Sequence, residues 1–135
     1  MHKILKNYRR MCLVSQLKEP FIADENIECY KIFIPKDGFY ITPYKEFSMM
    51  TNIEIEDPND ESFTHVFGVT LVESGYFHSC LNQKGILKVV SDLKRKLPKG
   101  TSVKILKAII PKGTKYFLGQ DNDICSKKLI LYENN

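Results

Sequence analysis

The spacing of apolar and polar side chains changes several times along the chain and so predicts its secondary structure. Near the start, apolar residues at positions 4, 5, 8, 11 and 12 recur at helical spacing, with lysine and arginine between them. We therefore predict an amphipathic N-terminal helix within residues 1–20, which ends near Leu17 because Pro20 follows. Residues 21–135 are predicted to form a single domain.

Alternation typical of strands follows this first segment. In ECYKIFIP, Cys29, Lys31 and Phe33 share one face of the chain, and the residues between them share the other. Shorter strands are predicted in GFYIT and SMMTNIEIE, and residues 63–80 are predicted to form two strands joined by a turn near Gly75. Three further strands are predicted towards the end of the chain, in SVKILKAII, TKYFLG and KKLILYE.

One helix is predicted in the middle of these strands. From residue 86 to 97, apolar residues recur every three or four positions, and lysines occupy the opposite face. Asn82 is suited to cap the N-terminus, while Pro98 and Gly100 end the helix. This order of elements predicts an α+β domain with an antiparallel or mixed β-sheet core, an N-terminal amphipathic helix and one central helix.

Composition narrows the class of protein. A length of 135 residues, with 43% hydrophobic and 27% charged residues, is typical of one globular domain. No apolar run reaches the roughly 18 residues of a membrane span, and the start lacks the apolar core of a signal peptide, so we expect a cytoplasmic protein. The four cysteines are scattered, which is typical of buried thiols. The modest net charge of +4, without an aromatic and basic RNA signature, argues against a nucleic-acid partner.

The richest candidate chemistry lies in SGYFHSC, residues 74–80. His78 and Cys80 are two residues apart and would share one face of a strand. A thiol beside an imidazole and a helix N-terminus can act as a nucleophile, but a strand end that packs Cys80 into the core is the favoured interpretation. Glu73 offers a nearby carboxylate for acid–base chemistry. His65, His78 and Cys80 lack the spacing of metal ligands, so no metal site is predicted.

Three segments of the second half form a pattern seen in other proteins. They are GYFHSCLNQKGILKVV (75–90), AIIPKGTKYFLG (108–119) and SKKLILYE (126–133). The similarity covers roughly residues 74–132, and ECYKIF is a candidate for an earlier strand of the same pattern. The pattern resembles the C-terminal half of mono-ADP-ribosyltransferase domains and implies an ADP-ribosyltransferase-like fold. The chain is also similar to small uncharacterised proteins of gut bacteria and their phages, which implies an origin in a phage or mobile element.

The residues that carry activity in the transferase family differ at the matching positions. Lys31 stands where the resemblance implies an NAD-binding arginine, and of the serine–threonine–serine motif only Ser79 matches, since Cys80 replaces the threonine. Ser126 and Lys128 stand where the family has two acidic residues. Because lysine repels the positive charge that those acids stabilise, the resemblance implies a related fold without transferase activity.

The sequence therefore predicts a small binding or interaction module without a cofactor, whose partner is an unknown protein or a nucleotide-like ligand. The alternative is a divergent enzyme that acts on a nucleotide or an ADP-ribose-like ligand, with NAD or ADP-ribose as its cofactor. In that alternative Tyr30, Lys31 and Ser79 bind the ligand, with Lys31 on a phosphate. His78, Ser79 and Glu73 are the candidate catalytic residues, with His78 moving a proton. The alternative requires these side chains to meet in one pocket.

Overall fold

The computed structural model describes residues 13–42 and 48–132, and these residues are mostly β-strand. One helix, α1 (Gln83–Lys96), interrupts the strands. The strands are β1 (Leu13–Ser15), β2 (Phe21–Ile22), β3 (Ile27–Lys36), β4 (Phe39–Ile41), β5 (Ser48–Met49), β6 (Glu54–Glu56), β7 (Ser62–Val66), β8 (Val69–Ser74), β9 (Phe77–Cys80), β10 (Lys104–Ile110), β11 (Lys115–Leu118), β12 (Asp123–Ser126) and β13 (Lys128–Tyr132).

The predicted α+β class is wrong, because the described part of the chain is a β-rich fold with a single helix. The N-terminal helix is not found in residues 13–20, and residues 1–12 lie outside the described residues. Leu13 to Ser15 instead form β1, in which Leu13 pairs with Val72 of β8. A short apolar spacing fits a helix and a strand about equally well, and here pairing with a distant strand decides between them.

The larger sheet has the strand order β2-β11-β12-β9-β3-β10-β13-β6. Its longest strand, β3, pairs antiparallel with β10 from Ile27 opposite Ile110 to Phe33 opposite Lys104. The end of β3 pairs with β4 in a hairpin, and β4 pairs in turn with β5. A parallel bridge joins Thr51, just after β5, to Leu131 of β13. The sheet therefore curls around its inner face.

The inner face of this sheet holds the main hydrophobic core. Alternate residues of β3 and β10 point into it, including Cys29, Phe33 and Leu106, each fully buried. The sequence pattern predicted which residues of β3 share this face, because side chains along a strand alternate between its two faces. The core also contains Tyr40, Met49, Phe77, Ala108, Ile110, Ile124, Leu129 and Leu131.

Two further elements cover the outer face of the larger sheet. Helix α1 packs Ile86, Leu93 and Leu97 against Ile32 and Ile34 of β3. A three-stranded sheet, in the order β1-β8-β7, covers the neighbouring region. Its contact consists of Leu13, Val72 and Tyr76 packed against Phe117 and Cys125.

Helix α1 lies where the sequence predicts the central helix. The Asn82 side chain accepts a hydrogen bond from the Gly85 N–H at 2.8 Å, so the predicted N-cap is confirmed. At the other end the Leu97 N–H donates to the Leu93 carbonyl, and Pro98 follows. Among the described residues, no helix combines the length and the apolarity that a membrane crossing requires.

Candidate functional site

Lys31 and Ser79 are brought together on the inner face of the larger sheet. Strands β3 and β9 pair through Tyr30 opposite Cys80, and the antiparallel register places Lys31 beside Ser79 at the next position. Both side chains are buried, with 8% of Lys31 and 6% of Ser79 exposed. A lysine with so little exposure is uncommon unless its ammonium has partners.

The Lys31 ammonium has a structural partner within the sheet. Its Nζ donates a hydrogen bond to the backbone carbonyl of His78 at 2.5 Å. It also lies 5.8 Å from the centre of the Phe33 ring, within the range of a cation–π contact. Lys31 thus cross-links β3 to β9, and these contacts compete with any phosphate that would bind there.

Ser79 lies next to a second buried polar group, the Cys29 thiol. Its Oγ has no hydrogen-bond partner of normal geometry among the described residues, although it is close enough to Cys29 to favour the thiolate slightly. Burial dominates and raises the pKa of Cys29 to about 11, against smaller opposing effects of Ser79 and Lys31. The Cys29 thiol is therefore protonated at neutral pH and a poor nucleophile.

His78 and Cys80 point to the outer face, as their spacing predicts. His78 lies opposite Cys125 of β12, and Cys80 lies opposite Asp123. The Cys80 Sγ is 3.7 Å from an Asp123 carboxylate oxygen. Burial, followed by the Asp123 charge, raises the pKa of Cys80 to about 12, while burial raises that of Asp123. The arrangement keeps the Cys80 thiol protonated, which is the opposite of what a reactive cysteine needs.

The other candidate residues lie elsewhere. Tyr30 packs on the outer face with the helix, on the side of β3 opposite to Lys31. Glu73 lies on β8 of the smaller sheet, where its carboxylate accepts a hydrogen bond from the Thr64 hydroxyl at 2.6 Å. A concavity of about 390 Å³ is lined by residues 35–40 and Thr51, and it contains none of the candidates.

A polar contact that the sequence interpretation missed joins the two sheets. The Tyr76 hydroxyl donates a hydrogen bond to Glu61, and Lys115 of β11 lies 3.4 Å from the same carboxylate. The bond from Tyr76, with smaller help from Lys115, lowers the pKa of Glu61. Burial and Glu61 raise the pKa of Tyr76. Since Tyr76 is fully buried, this contact anchors the smaller sheet rather than offering a reactive group.

The tip of the β7–β8 hairpin is the most unusual exposed feature of the described residues. Its two-residue turn consists of Phe67 and Gly68, both with positive φ (48° and 83°). Phe67 is fully exposed, at 102%. Two positive φ angles are typical of a type I′ turn, which favours asparagine or aspartate followed by glycine. Gly68 was the available signal, and the sequence marks it as a point where the strand can break or bend, but phenylalanine is not a turn residue and the turn was predicted near Gly75.

Chemically, the described residues assemble core packing rather than a pocket of reactive groups. No cluster of three or more His, Cys, Asp or Glu side chains suited to a metal ion occurs within residues 13–42 and 48–132. The side chains of Lys31 and Ser79 lie together, whereas those of His78 and Tyr30 point to the opposite face of the sheet and Glu73 lies on the smaller sheet. Comparison with protein-family models, curated proteins and solved structures finds no match to this chain, so its resemblance to ADP-ribosyltransferases stays a prediction.

Proposed function

We propose that this protein is a non-catalytic binding module that recognises a partner protein through the tip of its β7–β8 hairpin, with Phe67 as the anchor. The observation that carries the proposal is the combination of full exposure and a left-handed backbone at Phe67. The left-handed conformation costs a side chain with a Cβ about 1–2 kcal/mol. Full exposure means that the ring buries no apolar surface in return. Contact with a partner protein buries the Phe67 ring, which folding leaves exposed.

The hairpin presents Phe67 from a firm support. Strand β8 is the middle strand of the smaller sheet, between β1 and β7. Close to the tip, His65 Nδ1 lies 3.0 Å from the Thr70 hydroxyl across the two strands. At the base, the Phe63 ring meets Phe117 of the larger sheet edge-to-face at 5.2 Å. A binding element that is ordered in advance loses less conformational entropy on association.

The charge of the hairpin favours a protein partner over a membrane surface. Residues 62–74 contain no lysine or arginine, and Glu73 is their one acidic residue. Binding to an anionic lipid surface normally needs basic residues beside the apolar ones. An uncharged tip, VFGV, suits an apolar pocket on a protein, where aromatic anchors provide much of the binding free energy.

The buried candidate groups support a binding role over the enzyme alternative. The thiols of Cys29 and Cys80 both have raised pKa values, and the Lys31 ammonium bonds to a backbone carbonyl. The described cysteines, which are Cys29, Cys80 and Cys125, form no disulfide bond. Cysteines outside disulfides suit a reducing compartment, and we include the cytoplasm in the proposal.

Site-specific photo-crosslinking tests the proposal in cells that produce the protein. The photoreactive amino acid benzoylphenylalanine replaces Phe67 in one variant and Phe39 in another. Phe39 is the matched control because it is also an exposed phenylalanine next to a hairpin turn. We expect a discrete cross-linked product from position 67 and none of that mass from position 39. Identical products from both positions, or none from position 67, would contradict the proposal.

A further inference from the structure

Positive charge is concentrated on helix α1 and the loop after it. Residues 83–99 contain six lysines and arginines and one acid, Asp92, a net charge of +5. The whole chain has a net charge of +4, so the rest of the chain is close to neutral. Lys84, Lys88 and Arg95 are exposed and are spaced four and seven residues apart, which aligns them along one side of the helix. This basic stripe is about 16 Å long at the rise of a helix.

Helix stability does not account for the two lysines of the basic stripe. Lys84 lies in the first turn, which contains no acidic residue, and the helix dipole disfavours a cation there. Lys84 and Lys88 are like charges one turn apart, which destabilises a helix further. Arg95 pairs with Asp92, but both side chains are more than half exposed and such a pair contributes little. Arg95 lies in the last turn, where the dipole favours a cation, so the two lysines are the members of the stripe that oppose helix formation slightly.

An apolar side chain lies beside the basic stripe. Leu87 is 59% exposed, one turn along the helix from Lys84 and next to Lys88. The opposite side of the helix is fixed to the sheet through Ile86 and Leu93, so Leu87 cannot turn inward. A surface of phosphates would neutralise the lysines and leave Leu87 uncovered. A protein segment that carries carboxylates and an apolar side chain would neutralise the lysines and also cover Leu87.

We infer that the basic stripe together with Leu87 is a docking surface for an acidic amphipathic segment of a partner protein. Carboxylates one turn apart on the partner face Lys84 and Lys88, and an apolar side chain between them packs on Leu87. Opposite charges on the two surfaces speed association and set the orientation. The surface is separate from the Phe67 hairpin, and each stands on its own observations.

Binding of synthetic probes to the full chain tests this inference. The first probe is a helical peptide with glutamate repeated at one-turn spacing along one side and leucine beside it. The second probe has the same glutamates and serine in place of leucine, and the third is a short DNA duplex. Fluorescence anisotropy measures each affinity at low and at raised salt.

We expect the leucine peptide to bind, about tenfold more tightly than the serine peptide, with an affinity that falls as salt rises. The variant K84E/K88E should lose about tenfold or more in affinity. It should fold, because a glutamate in the first turn suits the helix dipole. The control K18E/K112E makes the same change in net charge at two exposed lysines elsewhere, and it should bind as the unmodified chain does.

Three results would overturn the inference. They are the absence of binding by the leucine peptide, an equal loss of affinity in K84E/K88E and K18E/K112E, and tighter binding of the DNA duplex than of the leucine peptide. The variant L87S gives a second measurement. It should reduce binding of the leucine peptide to the level of the serine peptide, and an unchanged affinity would count against the role of Leu87.

Discussion

The Lys31 ammonium on β3 donates a hydrogen bond to the backbone carbonyl of His78 on β9. These two strands share one paired position, Tyr30 opposite Cys80, so the lysine adds a second link between them. A residue that the sequence suggested for ligand binding therefore acts in strand pairing. Because this hydrogen bond lies inside the core, leaving the carbonyl without its donor would lower the stability of the fold.

Replacing Lys31 with methionine should lower the free energy of unfolding by about 1–3 kcal/mol, because the His78 carbonyl loses a donor while the core volume is kept. Urea denaturation measures the change. The control is K36M on the same strand, where the lysine is exposed and little effect is expected. If K31M were as stable as the unmodified protein, the free-energy penalty of desolvating the ammonium would equal the stabilisation from its contacts, and the prediction would be wrong.

Replacing Phe67 with asparagine should raise the free energy of unfolding by about 1 kcal/mol, because asparagine tolerates the left-handed turn. The control F67A removes the ring and keeps the Cβ, so its stability should stay close to that of the unmodified protein. Both variants should lose the partner that binds at Phe67. Thermal unfolding gives the comparison, and equal stabilities of F67N and F67A would mean that the turn is unstrained.

The Glu61–Tyr76 contact should make stability depend on acid pH. The bond from Tyr76 is the main cause that lowers the pKa of Glu61 below its ordinary value of 4.5. The folded carboxylate is then harder to protonate than the unfolded one. Its contribution is complete above 4.5 and is lost as the pH falls through the lowered folded value.

The variant E61Q should therefore lose less stability than the unmodified protein as the pH is lowered past 4.5. Y76F removes the same hydrogen bond from the other side and should flatten the profile in the same direction. Denaturation midpoints over a pH series provide the test. Parallel profiles for E61Q and the unmodified chain would show that the contact has no pH-dependent share in stability.

The thiols of Cys29 and Cys80 should resist alkylation at neutral pH, because their pKa values lie near 11 and 12. Iodoacetamide labelling followed by peptide mass spectrometry distinguishes each cysteine. The same peptides from the urea-unfolded chain provide the control and should be labelled quickly. Labelling of Cys80 in the folded protein at the rate of a free thiol would restore the reactive-cysteine hypothesis and weaken the non-catalytic proposal.

The sequence predicted those parts of the structure that depend on local pattern. The two faces of β3 and the helix with its Asn82 cap follow from spacing and from residues with special backbone preferences. The chain also breaks at Gly75 as predicted, but the stretch that ends at Cys80 forms three strands rather than the two predicted. The fold class could not be found in this way. It depends on pairings such as Leu13 with Val72, which lie far apart in the chain.

The candidate site shows the same limit. Alternation predicted that Lys31 shares a face with Cys29 and that His78 shares a face with Cys80. It could not predict the distance from Lys31 to the His78 carbonyl or the burial that keeps the thiols protonated. The turn at Phe67 was missed because turn preferences favour residues that adopt a positive φ at low cost. Phenylalanine adopts a positive φ only at a cost in free energy.

The pairing of β3 with β10 has a consequence for synthesis of the chain. The residues of β10 are translated more than seventy positions after those of β3, which takes roughly 4–15 s at ordinary ribosome speed. Until then the central strand lacks the neighbour that covers one of its hydrogen-bonding edges. A nascent chain halted before Lys104 should therefore aggregate or recruit a chaperone, while a chain released whole can close its core.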